Sequence, residues 1–493
     1  MMKFFSLSRK RRPKRFLLRV SRPEIAELHR LVFRRYPHYE WGTFARFGWR
    51  DTDDALIVTL AALDAPADGD LDETVPNVAF NEPYTLRIAL TAEQHALAVG
   101  VIHSHPQDAP PIPSSIDDEM DGYFSQYFND FAPNRPYISL ILSEISGQLV
   151  ISGRIFWHGE WLMLERALAH RDYVRTWPIE NNRLPLAALE RAERFASAFG
   201  EEAYRALRRA TVGVIGAGGT GSAAIETLAR AGVARIVIVD PDIVQSSNLE
   251  RIRGSTHGHV RAKTPKVIVA RNLINQIDRS IQVVALQARL PQDDVIDALC
   301  SADVVLGCTD QQHSRLALSD LAFRYLVPAI DCGVLLEGDG GRVTGQIAQF
   351  VRFLPADPCV LCRDMIDPRR VAQELMSREE RANRRHAAAA AQERGDAPDP
   401  YWLNERQINT VGYLTSTVGA MLAGYAIGWL TGRFNPPFER LQMNFVAPFL
   451  DVTDLDQAQR ADCPCARFRG WADQGRADAL IAAPSHWPAG LSR

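Results

Sequence analysis

Two histidines one residue apart close an apolar run, Val99-Gly-Val-Ile-His103-Ser-His105-Pro106. Alternate side chains of a strand project to one face, so His103 and His105 can present both imidazoles to a single zinc ion. Ser114 and Asp117 follow at the spacing of a helix start, which places the Asp117 carboxylate in a first helical turn as a third ligand. Two imidazoles and one carboxylate leave the fourth zinc position open to water, the mark of a catalytic rather than a structural site. Each piece has an ordinary counterpart: His-x-His occurs in plain strands, and Ser-x-x-Asp is also a simple capping box.

A second group is Thr211-Val-Gly-Val-Ile-Gly216-Ala-Gly218-Gly219-Thr-Gly221-Ser222, a strand, a glycine turn and a helix start. Backbone N–H groups and the helix dipole at such a turn can cradle phosphates. Gly216, Gly218 and Gly221 also satisfy the dinucleotide pattern, and Asp240 at the end of the next strand suits a ribose hydroxyl in either case. The glycine turn alone therefore leaves a nicotinamide-dependent oxidoreductase open. A third group comprises two close cysteine pairs, Cys359/Cys362 and Cys463/Cys465, which together would form a closed, non-catalytic four-thiolate zinc site. Cys300, Cys308 and Cys332 read as buried, inert thiols.

The elements that must position these residues follow from periodicity. Residues 16–168 read as a strand, a helix and then mixed strands, with Ser21 and Glu24 as a capping box and strands over 55–63, 96–102 and 137–142. A polar stretch with two prolines, 177–185, reads as linker. From Arg191 onward helix, strand, glycine turn, helix and strand repeat as βαβ units. Between 377 and 400 arginines, glutamates and an alanine run replace any apolar face, which reads as a mobile loop or an exposed helix inserted over a site. Segment 410–432 lacks charge and is long enough to span a bilayer, but its threonines, Ser416 and glycines point to a buried helix instead.

With 493 residues the chain exceeds one ordinary core, so at least two domains are expected. The division read from sequence is a basic tail 1–15, a first domain 16–170, a linker 171–185, a second domain 186–470 with a mobile insertion 377–402, and a C-terminal tail 471–493. A formal charge of -3 excludes a strongly basic nucleic-acid binder, and the Lys/Arg cluster before residue 16 reads as a solvated terminus. Without a stretch of signal length, and with cysteines paired for metal rather than disulfide, the expected address is cytoplasmic, with no membrane partner.

The first constellation resembles, without a mismatch, the JAMM motif of JAB/MPN zinc metallopeptidases: His-Ser-His-Pro, seven residues, Ser, two residues, Asp. That resemblance implies an α+β domain with a mixed sheet and an upstream glutamate that accepts a proton from the zinc-bound water. Glu40 in Tyr39-Glu40-Trp41-Gly42 matches its place better than Glu73, Glu82 or Glu93, and Ser114 would help hold the oxyanion. It also implies cleavage of peptide or isopeptide bonds after the C-terminal glycine of ubiquitin-like proteins.

The stretch Asp240-Pro-Asp242-Ile-Val-Gln-Ser-Ser247-Asn248-Leu249-Glu-Arg251 resembles the signature of the ThiF/MoeB and ubiquitin-activating superfamily. Lys266 matches its phosphate-binding lysine, and Cys308-Thr309-Asp310 its strand-end motif, where the aspartate holds Mg²⁺. The resemblance implies a doubly wound, Rossmann-like adenylation domain with structural Zn²⁺, though the superfamily's second pair is Cys-x-x-Cys and here it is Cys-x-Cys. ATP would lie on Gly216, Gly218, Gly219, Gly221, Asp240, Asp242, Asn248, Arg251, Lys266 and Asp310. Arg194 sits where the superfamily's arginine crosses a homodimer into the partner's ATP site, but Phe195 replaces the glutamine that usually follows.

Both resemblances together imply ATP-dependent adenylation of the C-terminal glycine of a ubiquitin-like protein, joined to catalytic-Zn²⁺ cleavage after that glycine, in a bacterial-type conjugation pathway with a possible separate conjugating enzyme. The alternative is activation and processing of a sulfur-carrier protein for cofactor or cysteine biosynthesis. Relatives that pass the acyl group onward carry a cysteine between the zinc pairs, and 363–462 contains none. The acyl-adenylate is then expected to go directly to a separate acceptor or to an oxygen such as that of Thr410, with Cys332 as the substitute thiol.

Overall fold

The computed structural model describes residues 14–35, 37–169, 174–178, 190, 192–397, 402, 410–446, 451–454 and 457–492. Most of the basic tail, most of the linker, Arg191 and residues 398–401 of the insertion lie outside the described residues. The chain forms two compact units, Met1–Asn181 with Gly470–Arg476, and Asn182–Arg469 with Ala477–Arg493.

The first unit is built on strands β1 (Arg15–Val20), β2 (Gly42–Asp51), β3 (Ala55–Asp64), β4 (Ala98–Ser104), β5 (Tyr137–Ile145), β6 (Gln148–Trp157), β7 (Glu160–Ala169) and β8 (Val174–Thr176). Their order is β5-β4-β2-β3-β1-β7-β6-β8, and an added β5–β6 pairing joins the sheet into a ring with β8 outside it. Helices α1 (Arg22–Val32), α2 (Glu82–Gln94) and α3 (Ser115–Phe131) complete the unit. Strand β4 is buried along its whole length because its two faces feed two cores. Ala98 and Ile102 pack with Phe16, Phe47 and Ile138, while Val99 and Val101 pack with Phe44, Tyr84 and Phe124. An all-apolar run is what a strand covered on both faces requires.

Three sequence expectations change here. Ser21 is the N-cap of α1, but its side chain makes no capping bond. Strand β8 pairs in parallel with β6, so the linker begins later than 171. Residues 471–493 are not a tail: Asp473 Oδ1 accepts from Arg50 Nη1 at 2.8 Å and Gln474 Oε1 from Trp49 N at 2.7 Å within the first unit.

The second unit carries strands β9 (Thr211–Ile215), β10 (Arg235–Val239), β11 (Gln282–Gln287), β12 (Val304–Gly307), β13 (Ala329–Asp339), β14 (Arg342–Phe353), β15 (Arg440–Asn444), β16 (Asp451–Asp454) and β17 (Leu491–Ser492). The sheet order is β16-β15-β14-β13-β12-β9-β10-β11-β17. Strands β13 to β11 in that order are parallel, and the outer ones antiparallel. This is a Rossmann-like α/β sheet whose chain order reverses between β9 and β12.

The uncharged segment becomes the helix Gly412–Leu430, packed so tightly on the helix Gly219–Ala231 that a Cβ at Gly419 would lie 2.3 Å from Thr220 O. Among the described residues no helix is long and apolar enough to cross a membrane. The expected mobile insertion contains a helix, Arg378–Glu393, with Ser377 accepting from Glu380 N as its cap. Its alanine run has the strongest intrinsic helix preference, which offsets the missing apolar face.

Candidate functional sites

Strand β4 ends at the histidine pair. His103 is fully buried, with its Nε2 2.9 Å from Asp117 Oδ1, and His105 Nε2 lies 3.5 Å from Asp117 Oδ2 and 4.0 Å from Glu40 Oε1. Ligands about 2.1 Å from a tetrahedral zinc stand about 3.4 Å apart, so these separations suit one ion. Nδ1 of His103 is buried without a hydrogen-bond partner, and Nε2 of both histidines faces carboxylate oxygens without hydrogen-bond geometry, a cost that a bound cation removes. Burial alone would raise the Asp117 carboxyl, but the two imidazoles outweigh it and hold the group well below the usual carboxylate range, in its ligand form.

Ser114 and Asp117 do form the reciprocal capping box: Asp117 N donates to Ser114 Oγ at 3.3 Å, and Ser114 N to Asp117 Oδ2 at 2.6 Å. The cap thus also orients the Asp117 carboxylate toward the histidines, since it fixes the first turn of α3. Sequence inspection missed Ser104, which lies between the histidines. Its Oγ donates to Val32 O at 2.6 Å and accepts from Trp41 N at 3.2 Å, tying the residue after Glu40 to the end of β4.

The four cysteines converge although they are far apart in sequence. Sulfur separations are 3.9 Å for Cys359–Cys362, 3.4 Å for Cys359–Cys463 and 3.7 Å for Cys362–Cys465. A tetrahedral zinc at about 2.3 Å from each sulfur requires about 3.8 Å. The tighter Cys-x-Cys spacing is accommodated because Cys463 caps the short helix Pro464–Arg467, turning both thiols inward. Gln459 Nε2 and Arg460 N donate to the sulfurs of Cys465 and Cys362 at 3.3 and 3.4 Å, the N–H···S bonds a thiolate cluster favours.

The third site lies at the carboxyl ends of β9 and β12, where ligands bind in open α/β sheets. Gly216 has φ +94° and Gly221 could not carry a Cβ, which would stand 1.8 Å from Gly216 O. A Cβ at Gly218, by contrast, would face open space, leaving its backbone accessible. Cys308 N bonds Ile215 O at 2.8 Å, so the Cys308-Thr309-Asp310 segment abuts this turn.

Asp240 Oδ2 accepts from Ala217 N at 2.7 Å and Oδ1 from Asp242 N at 2.8 Å, locking the turn. Lys266 Nζ lies 2.8 Å from Asp242 and 4.0 Å from Asp240. Burial works against the lysine charge, and the two carboxylates more than restore it. Asn248 is buried, with Oδ1 accepting from Gln245 N at 3.0 Å. Arg251 donates to Ser247 O and to Glu250, whose other oxygen accepts from Gly412 N. Asp310 is exposed just beyond β12, an arrangement a hydrated divalent cation can use. Arg194 is exposed on the helix Glu193–Phe199. Cys332 is buried, and its hydrogen bond with Cys308 and burial push its thiol far above the usual value.

The ThiF family model matches residues 190–465. The chain belongs to the ThiF family. The molybdopterin-synthase adenylyltransferase of Salmonella typhimurium is 34% identical over 164 residues, covering 33% of this chain and 62% of that protein. The sulfur carrier protein ThiS adenylyltransferase of Bacillus subtilis is 30% identical over 173 residues, 35% of this chain and 48% of that protein. The chain thus spans about half to three fifths of the length of these curated relatives. Among solved structures, E. coli MccB with MccA-N7isoASN is 16% identical with a TM-score of 0.43, covering 58% of this chain and 75% of that one. The ThiF-family match spans residues 190–465, so both segments of the first unit, Met1–Asn181 and Gly470–Arg476, lie outside it.

Proposed function

We propose that the second unit adenylates the C-terminal glycine of a sulfur-carrier or ubiquitin-like protein, and that the first unit is a JAMM-type zinc peptidase cutting after such a glycine. The observation that carries the adenylation reading is the open glycine turn at the β9/β12 switch point, flanked by Asp240, Lys266 and Asp310. The names of the relatives favour a sulfur carrier over a conjugated modifier.

In this scheme the glycine carboxylate attacks the α-phosphate of ATP and pyrophosphate leaves, so negative charge must be neutralised on both sides of phosphorus. Lys266, Arg251 and, across a homodimer, Arg194 supply positive charge; Asn248 orients phosphates; Asp242 and Asp240 hold Lys266 and the ribose. Mg²⁺ on Asp310 would add Lewis-acid neutralisation of the leaving group. The buried, high-pKa thiol of Cys332 makes a poor acyl acceptor, so the adenylate passes to a separate nucleophile or to an oxygen such as that of Thr410.

In the first unit, zinc on His103, His105 and Asp117 would supply an acidified water at the open position. Glu40, whose Oε1 lies 4.0 Å from His105 Nε2, would accept a proton there. Accepting the Asp117 N–H leaves the Ser114 proton free to donate to a developing oxyanion.

The test is ATP–pyrophosphate exchange with a small carrier protein ending in glycine, run beside cleavage of the same carrier extended past that glycine. Exchange that depends on the terminal carboxylate supports adenylation, and its absence with several such carriers overturns it. Cleavage that stops at the glycine and is lost on zinc removal supports the peptidase; an uncut extended carrier overturns it.

A further inference from the structure

The loop that carries Asp310 is gripped from outside the sheet by the helix Pro368–Leu375. Glu374 on this helix is largely buried, at 13% side-chain exposure. Its Oε1 accepts from Gln312 N at 3.1 Å and Arg370 Nε at 3.2 Å, and its Oε2 from His313 N at 2.9 Å and His313 Nδ1 at 3.0 Å. Arg370 then donates Nη2 to Asp310 O at 3.0 Å, and Asp367 N donates to Gln312 Oε1 at 2.7 Å. The carboxylate therefore closes the amino end of the helix Gln312–Arg324, where backbone N–H groups and the helix dipole favour an anion.

Sequence motifs account for Asp310 but not for this grip, which exceeds what capping needs. One ordinary side chain satisfies a cap; here a buried carboxylate and an arginine converge on Gln312, on His313 and on the carbonyl of Asp310 itself. Burial would raise the Glu374 carboxyl, and its bonds from His313 and the backbone outweigh that, holding it below the usual value.

We propose that Glu374 and Arg370 are positioning residues for Asp310, fixing the strand-end loop so that its carboxylate meets the divalent cation of the nucleotide. The proposal rests on the reading of Asp310 as a cation-holding residue. In Glu374→Gln the amide oxygen can keep one pair of donors, but in either orientation the NH₂ meets the N–H donors of the other pair, so half of the grip is lost while the residue's size is kept.

The experiment titrates ATP by calorimetry against wild type, Glu374→Gln and Arg370→Ala, each with Mg²⁺ and in buffer freed of Mg²⁺ without a chelator, so that zinc is left in place. Amide exchange at Gln312 and His313 is followed in parallel. The expected result is a loss of about tenfold or more in affinity for Mg·ATP in Glu374→Gln, little change for metal-free ATP, and faster exchange at the amide that faces the new NH₂, Gln312 or His313. Arg370→Ala leaves the backbone bonds to Glu374 in place and carries the test alone if Glu374→Gln does not fold. Equal losses with and without Mg²⁺, or no loss in either folded variant, overturn the proposal. Wild type that binds ATP with no Mg²⁺ dependence instead overturns the reading of Asp310 itself.

Discussion

The two clusters able to hold a metal ion differ in how they close. Cys359, Cys362, Cys463 and Cys465 surround a point on all sides, and two N–H donors rest on their sulfurs. His103, His105 and Asp117 surround theirs on three sides, with Glu40 standing 4.0 Å from His105. Both are buried and both have separations that suit tetrahedral zinc, so burial and fit do not tell a structural site from a catalytic one. In the proposed reading, an open position with a carboxylate beside it would mark the catalytic one. The thiolate cluster also joins segments about a hundred residues apart, whereas each His/Asp ligand already sits on an element held by the sheet or its capping box.

That contrast breaks most sharply at the closed site. Cys465→Ser is expected to destabilise the second unit by about 4 kcal/mol or more, because binding energy there is folding energy. Thermal melting with parallel zinc analysis would show it, and an unchanged melt would mean that the cluster is not structural. Next in size, Glu40→Gln should slow cleavage of an extended carrier about 100- to 10,000-fold with zinc retained, while His105→Ala loses both zinc and cleavage without unfolding. Cleavage by Glu40→Gln at the wild-type rate would assign the base elsewhere.

Asp310→Ala should cut ATP–pyrophosphate exchange about 100-fold and leave cleavage untouched. A matched fall in both assays, with the protein folded, would mean that the two activities are coupled. Ser104→Ala is expected to lower cleavage about tenfold at full zinc occupancy, since it loosens the strand end beside Glu40 rather than a ligand; equal loss of zinc would make it a structural residue. The smallest effect is in mixed dimers of Arg194→Ala and Asp310→Ala, where partial recovery of exchange is expected, and none would argue against an arginine acting in trans.

Local spacing made much of the local geometry legible. A strand's alternation places His103 and His105 on one face, Ser114 and Asp117 close a helix start, and Gly216 and Gly221 occupy positions where φ or a close approach excludes other residues. Such patterns act within a few residues, so they are legible without knowing the fold. What lies between distant segments was not legible. Ser21 has the type and position of a cap yet makes no capping bond, residues 471–476 join the first unit rather than trailing, and Glu250 finds Gly412 and Glu374 finds the Asp310 loop. Spacing alone likewise leaves open whether Cys359 and Cys362 meet Cys463 and Cys465. These pairings depend on which apolar faces bury together and on how the chain returns across the sheet, so the sequence determined the parts of each site and the tertiary structure decided which parts meet.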